Sequence, residues 1–393
     1  MIARYMNEKT SALYSEYVID GIPQELTPAR ILETCLAEDA AGVPAGGEGF
    51  GPVVDETVDP APKPCATDPA RIGEYIRLVR AIRTPAFPFA FPETYTKGRI
   101  ACALIEAIWR RGHFRLGDLA LHLDWTWSPQ RIGDMAAFYA SVSSAADYID
   151  SLGIRLSGYS YTEVEDGCDI RAVASIGLQK PQEDDFDYPE EDDFFKELPF
   201  RTGHPYMRAQ NFHPAKLLPD ASSWLIYVPF EDCDYRLGAS LLAQALGSSG
   251  AMAPEIVDAD YFIDCYEVVR ELVEDGVVLS GVTVGRGGLI SALKRMTGPK
   301  AGATVNLADL MRAKGEKDIV RLLFAEVPGV LFQIADIDYD YVDAELLLQD
   351  IAFYPLGHPA PGRPGVDVLS SDKPGIQTIL ESLLRSQSSE GED

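Results

Sequence analysis

Positive charge is scarce in this chain. Against 61 Asp and Glu it carries 34 Lys and Arg, a formal net charge of −27 over 393 residues, and a surface of that sign repels phosphate backbones and anionic lipid headgroups. Nucleic acid is therefore excluded as an expected partner. Cysteine is sparse as well. Cys35, Cys65, Cys102, Cys168, Cys233 and Cys265 are scattered with no Cys-x-x-Cys pair, which removes zinc knuckles and dithiol redox centres and leaves reduced, mostly buried thiols. No hydrophobic run reaches the roughly 18 residues that cross a bilayer, and no apolar segment follows the arginine near the start. Neither a membrane nor a secretory signal is expected, and the reading is a cytoplasmic protein. None of the five histidines stands four residues from another, so a helical metal pair is missing. The glycine stretch from Gly281 to Gly288 fits neither the dinucleotide fingerprint nor the P-loop.

What is present is a globular composition, 46% hydrophobic and 24% charged, on a chain long enough for two cores. Residues 1–93 read as a helical extension with a Gly/Pro-rich linker. Apolar residues recur three and four apart over Thr10 to Val18 and Pro28 to Glu38, Ala40 to Thr67 has no period, and Asp68 before Pro69 opens a helix that Pro85, Pro88 and Pro92 end. Residues 94–182 predict an α+β domain, with helices over Arg99 to Trp109 and Arg131 to Leu152 around an alternating strand at Asp118 to Asp124. Residues 183–221 form an acidic insertion and linker, with nine carboxylates between Glu183 and Glu197 opposed by Lys196 alone, which reads as a solvated loop.

Residues 222–360 predict a second α+β domain. Its strands are Trp224 to Pro229, Val277 to Val284 and Val330 to Ile334; its helices are Gly238 to Leu246, Asp258 to Asp275, Gly287 to Met296 and one capped by Asp343. Residues 361–393 read as a polar tail. Asp336, Asp338, Asp340 and Asp343 suggest a calcium loop, but Tyr341 and Leu347 stand where Gly and Glu are needed, so they read as a polar strand face and helix cap.

Several segments resemble the second synthetase half of phosphoribosylformylglycinamidine synthase. Leu123-Asp124-Trp125-Thr126-Trp127 and Gly133 to Val142 are similar to the family's Trp-x-Trp strand end and the helix after it, and Ala103 to Ala107 to the helix before. Leu237 to Gln244 resembles its Leu-Gly-Gly-Ser turn, and Leu322 to Ile334 its Leu-Phe-Ala-Glu-Asn-Pro-Gly segment. These matches fall within about two thirds of the chain, Thr94 to Leu356. The resemblance implies an α+β, two-domain fold like aminoimidazole ribonucleotide synthetase, with an N-terminal sheet that pairs with a second copy into a barrel and a C-terminal α+β domain. It also implies ATP and magnesium as cofactors and ligase chemistry in purine biosynthesis.

The family's chemistry is altered here. Its His-Asp-x-Ser-Asp-Gly-Gly-Leu turn, which supplies hard oxygen groups near magnesium, reads Val282-Thr283-Val284-Gly285-Arg286-Gly287-Gly288-Leu289. The counterpart of its Gly-Lys-Asp-Ser is Gly158-Tyr159-Ser160-Tyr161, and its Glu/Asn pair on the first helix is Glu106 with Arg110, a surface ion pair at four-residue spacing. The residues that still match, Glu106, Gly158, Gly287, Gly288 and Glu326, are the candidate nucleotide-site residues; no catalytic residue and no metal ligand is assigned. The expectation is a degenerate, pseudoenzyme-like scaffold or binding subunit with no cofactor, forming a homodimer or docking on a full-length synthase so as to cover exposed sheet edges and apolar faces. The alternatives are an active ATP-dependent synthase subunit, using ATP and magnesium, and a nucleotide sensor. The family's glutaminase domain and first synthetase half are not matched.

Overall fold

The computed structural model describes residues 11–37, 53–55, 65, 67–83, 85–110, 112–131, 133–176, 213–248 and 250–369. The acidic run at 183–197, most of the linker expected at 40–67 and the tail beyond 369 lie outside the described residues. The strands are β1 Tyr17–Ile19, β2 Ile22–Pro23, β3 Val53–Asp55, β4 Leu119–Trp127, β5 Arg155–Glu163, β6 Cys168–Ile176, β7 Trp224–Pro229, β8 Val278–Val284, β9 Ala301–Asn306, β10 Gly329–Ile334, β11 Tyr354–Pro361 and β12 Val366–Leu369. The helices are α1 Pro28–Glu33, α2 Ile72–Ala81, α3 Pro92–Ile108, α4 Asp134–Ser151, α5 Leu241–Ala245, α6 Ala259–Glu274, α7 Gly288–Met296, α8 Ala308–Lys314, α9 Ile319–Phe324 and α10 Tyr339–Leu348. The fold is α+β. One three-stranded sheet runs β5-β4-β6, a six-stranded sheet runs β12-β9-β11-β7-β10-β8, and a small sheet runs β2-β1-β3.

The six-stranded sheet is covered on both sides, which explains why β7 is apolar at nearly every position rather than alternating. Ile226 and Val228 enter one core together with α3, α4 and α6, whereas Leu225 and Tyr227 enter another with α2, α7 and α9. The first of these cores also receives the inward row of β4, namely Leu121, Leu123, Trp125 and Trp127. Both indoles find polar partners on α4: Trp125 Nε1 donates to Ser141 Oγ at 2.9 Å and Trp127 Nε1 to the Asp134 carbonyl at 2.8 Å. Buried Trp requires such a partner, and it fixes α4 against the strand.

The opposite face of β5-β4-β6 is polar. His122, Asp124 and Thr126 on β4 stand beside Gly158, Ser160 and Thr162 on β5, and Arg171 lies opposite Asp124 on β6. Asp124 Oδ1 accepts from Ser160 Oγ at 2.6 Å and faces His122 Nε2 at 3.0 Å. Ala120 and Val173 are the apolar exceptions by register. In place of the apolar barrel face expected from the sequence, this face carries mostly polar side chains.

Several boundaries differ from expectation. The helix expected over Thr10 to Val18 is a 3-10 turn at Ala12–Tyr14 followed by β1, because Tyr17–Ile19 pairs in parallel with β3 across distant sequence. The segment before residue 94 is shared between the cores: Leu13, Tyr17, Leu32 and Cys35 join the first, and Tyr75 and Val79 on α2 join the second. Asp343 lies inside α10 rather than at its start, since a 3-10 turn at Asp336–Asp338 leads directly into the helix. Asp336 accepts from Trp224 Nε1 at 2.8 Å. The expected polar tail begins with β12, which pairs in parallel with β9. Glu231, just past β7 and 2% exposed, accepts from the amides of Val257 at 3.1 Å and Asp258 at 3.2 Å, anchoring the entry to α6.

Candidate functional site

A cleft of about 370 Å³ opens between α3, the Gly285–Gly288 turn with α7, and the turn at Gly238 and Ala239. Its first wall follows from helical spacing. Tyr95, Arg99, Cys102 and Glu106 stand at intervals of three and four on α3 and so share one face. The second wall approaches closely because its residues are small. A Cβ on Gly285 would lie 2.4 Å from Cys102 Sγ, and one on Gly281 2.2 Å from the Trp109 ring. Trp109 Nε1 donates to Thr283 Oγ1 at 3.0 Å, tying the end of α3 to β8.

Gly287 and Gly288 form the entry to α7 with φ of +78° and +69°, a left-handed conformation in which Cβ is costly. Glu326 organises this turn. Its Oε1 accepts from Gly287 N at 2.8 Å and from Leu241 N at 2.7 Å, at the first turns of α7 and α5. One carboxylate thus takes amide donors from two helix starts, where negative charge is favoured. Burial pushes the Glu326 carboxyl above its ordinary value, while those two amides and the guanidinium groups of Arg286 and Arg99 oppose the rise. Glu326→Gln keeps the one oxygen that accepts both N–H groups but removes the negative charge that strengthens the two bonds. A charged hydrogen bond contributes about 1.5–3 kcal/mol, so this variant is expected to unfold about 2 kcal/mol more easily in urea at neutral pH.

Other polar groups meet across the cleft. Arg286 Nη2 donates to the Tyr95 hydroxyl at 3.0 Å, with its guanidinium 5.8 Å from that ring centre. Tyr95 in turn donates to Asp169 Oδ1 at 2.8 Å. Glu106 Oε1 meets Arg295 Nη2 at 3.2 Å, so the Glu106–Arg110 pair expected on α3 is not formed. Arg110 donates instead to the Ala174 carbonyl at 3.0 Å, since α3 lies along the edge of β6. Burial pushes the Cys102 thiol up to about 12, which favours its protonated form at neutral pH. Among the described residues no cluster of three or more His, Cys, Asp or Glu has the arrangement of a metal site.

Of the five candidate residues, Glu106 and Glu326 line the cleft, whereas Gly287 and Gly288 follow the lining residue Arg286 in the turn without lining the cleft themselves. Gly158 does not join them. It sits in β5 on the polar sheet face, where a Cβ would stand 3.0 Å from His122 Nδ1, and its bareness accommodates that imidazole. Sequence reading missed Tyr95, Arg99 and Arg295. The signal for the first two was their helical phase with Glu106; Arg295 had none, because its carboxylate partner is 189 residues away.

No family model matches the chain. It is 26% identical over 268 residues to the major tegument protein of Epstein-Barr virus strain GD1, which covers 68% of this chain and 18% of that protein. It is 26% identical over 121 residues to human phosphoribosylformylglycinamidine synthase, covering 30% of this chain and 9% of the enzyme. The chain therefore spans less than a fifth of the length of either relative. Among solved structures, PurL of Thermotoga maritima complexed with FGAR superposes with a TM-score of 0.46 at 12% identity, over 76% of this chain and 48% of that one. Likeness to a synthase is thus found in sequence over a limited stretch. Among the described residues no helix is long and apolar enough to cross a membrane.

Proposed function

We propose that this chain is a phosphoribosylformylglycinamidine synthase-like domain pair, of the aminoimidazole ribonucleotide synthetase architecture, that has lost turnover and acts as a cytoplasmic binding or scaffolding subunit. It would associate with a second copy or with a full-length synthase. The observation that carries this reading is that Glu326, Arg286 and Glu106 are already engaged by partners within the protein. Glu326 holds two helix-start amides, Arg286 lies on Tyr95, and Glu106 is bound to Arg295. A magnesium nucleotide would have to displace these contacts, and Val282, Gly285 and Arg286 supply none of the oxygen ligands that the resembling motif carries. Each missing charged contact is worth about 1.5–3 kcal/mol, so several together weaken binding by orders of magnitude.

Thermal unfolding with ATP and magnesium tests the proposal. A ligand at about 100 times its Kd stabilises a fold by about 2.7 kcal/mol; the expected result here is an unchanged Tm at about 1 mM nucleotide, a hundredfold above a Kd of about 10 μM. A saturable rise with phosphate release would establish the alternative, an active ATP-dependent subunit forming formylglycinamidine ribonucleotide. A second reading, nucleotide sensing without turnover, draws on the excess of guanidinium groups, since Arg99, Arg286 and Arg295 face only Glu106 and Glu326. Its mark is a rise in Tm that persists in EDTA and releases no phosphate.

A further inference from the structure

The helix α10 is apolar on two sides. Val342 and Leu346 are fully buried against the first core. On the far side Ile337 is 89% exposed, Leu348 76%, Leu347 61% and Tyr341 43%, with Ala344 exposed between them. Ile337, Tyr341, Ala344 and Leu348 recur at steps of four, three and four, which places them in one row along the turn and the helix. Single exposed apolar residues are ordinary, whereas a contiguous row marks an interaction surface.

Carboxylates frame this row. Asp336, Asp338, Asp340, Asp343, Glu345 and Asp350 all fall within it or at its ends, and no Lys or Arg occurs between Leu322 and Gly362. None of these six is ion-paired to a described residue. The neighbouring helix adds to the same sign: Tyr341 donates its hydroxyl to Asp275 at 3.1 Å, and Glu271 and Glu345 are the other charges acting on that tyrosine. A second copy of this helix would set carboxylates against carboxylates, so self-association through it is disfavoured.

We infer that the exposed row of α10 is a docking surface for an amphipathic helix of another protein whose apolar stripe is flanked by Lys or Arg. Leucines of the partner would seat on Ile337, Tyr341 and Leu348 in helix-on-helix packing, and its cations would meet the acidic margins and set orientation and on-rate.

The test uses the full chain and two fluorescein-labelled designed helical peptides of about 14 residues, roughly four turns. Both carry the same leucine stripe, one flanked by lysines and the other by glutamates. Saturable anisotropy is expected with the lysine peptide only, and it should fall at least tenfold between about 0.05 and about 0.5 M salt as the charges are screened. Leu348→Asp and Ile337→Asp, both at exposed positions, should keep the wild-type circular dichroism and Tm while weakening the lysine peptide at least about tenfold, the loss typical of a central apolar contact. Absence of saturable binding, equal affinity for both peptides, or unchanged affinity in the two variants would overturn the inference. So would light scattering that shows a dimer broken by Leu348→Asp, since the row would then be a self-interface.

Discussion

Gly288→Ala should lower stability by about 4 kcal/mol, seen as a fall in the urea midpoint at unchanged m. At φ +69° an L-residue takes on left-handed strain of about 1–2 kcal/mol. A Cβ there would also stand 2.6 Å from the Leu323 carbonyl oxygen and 2.8 Å from both the Ala325 oxygen and the Phe324 carbonyl carbon, backbone atoms that cannot turn aside. Overpacking of that kind adds about 1–3 kcal/mol. Gly287→Ala is the internal comparison. Its φ is similar, but the nearest atom is Ser291 Oγ at 2.2 Å, a side chain that can change rotamer. Equal losses at the two positions would show that crowding against the 323–325 backbone is not what requires Gly288.

Stability should also decline as pH rises from about 4.5 to about 7, and Glu231→Gln should remove a large part of that decline. Burial raises the Glu231 carboxyl from 4.5 to about 7, against the two amides at Asp258 and Val257 that favour its charged form. Within that window the folded chain keeps a proton that the unfolded chain has released, so the slope of stability with pH is negative; above about 7 both states are ionised and the slope vanishes. At 1.36 kcal/mol per pH unit the interval is worth on the order of 3 kcal/mol. The measurement is the difference between wild type and Glu231→Gln in urea unfolding across pH 4.5 to 7, in which carboxylates remote from this site cancel and only the neighbouring Asp258 is coupled to it. A difference independent of pH would mean that Glu231 is ionised throughout and held by its amides alone.

How much of this was legible in the chain follows from where each signal resides. The strand Trp224–Pro229 and the helix between Asp258 and Asp275 carry their own apolar run and caps, and local signals of that kind survive without knowledge of the fold. β11 carries the opposite signal. It contains Pro355, Pro359 and Pro361 and yet lies between β7 and β9, a position where proline argues against a strand. The register breaks between Pro355 and Gly357, and Gly357, at φ +142°, passes so near Thr304 that a Cβ would meet its carbonyl oxygen at 2.3 Å. Only the neighbouring strands make that irregular pairing possible. The cleft divides in the same way. One wall could be traced from the spacing of Tyr95, Arg99, Cys102 and Glu106, whereas the double grip of Glu326 on Leu241 and Gly287 depends on two turns brought together by the six-stranded sheet.

The open face of β5-β4-β6 limits what can lie against it. To dry that surface, a partner must strip water from the His122 imidazole, the Asp124 carboxylate, the Arg171 guanidinium and a row of hydroxyls, and it must return a donor or acceptor for each. Oily surfaces tolerate many neighbours, but a panel of this kind admits only a counterpart with matching polarity, position by position, or stays wet.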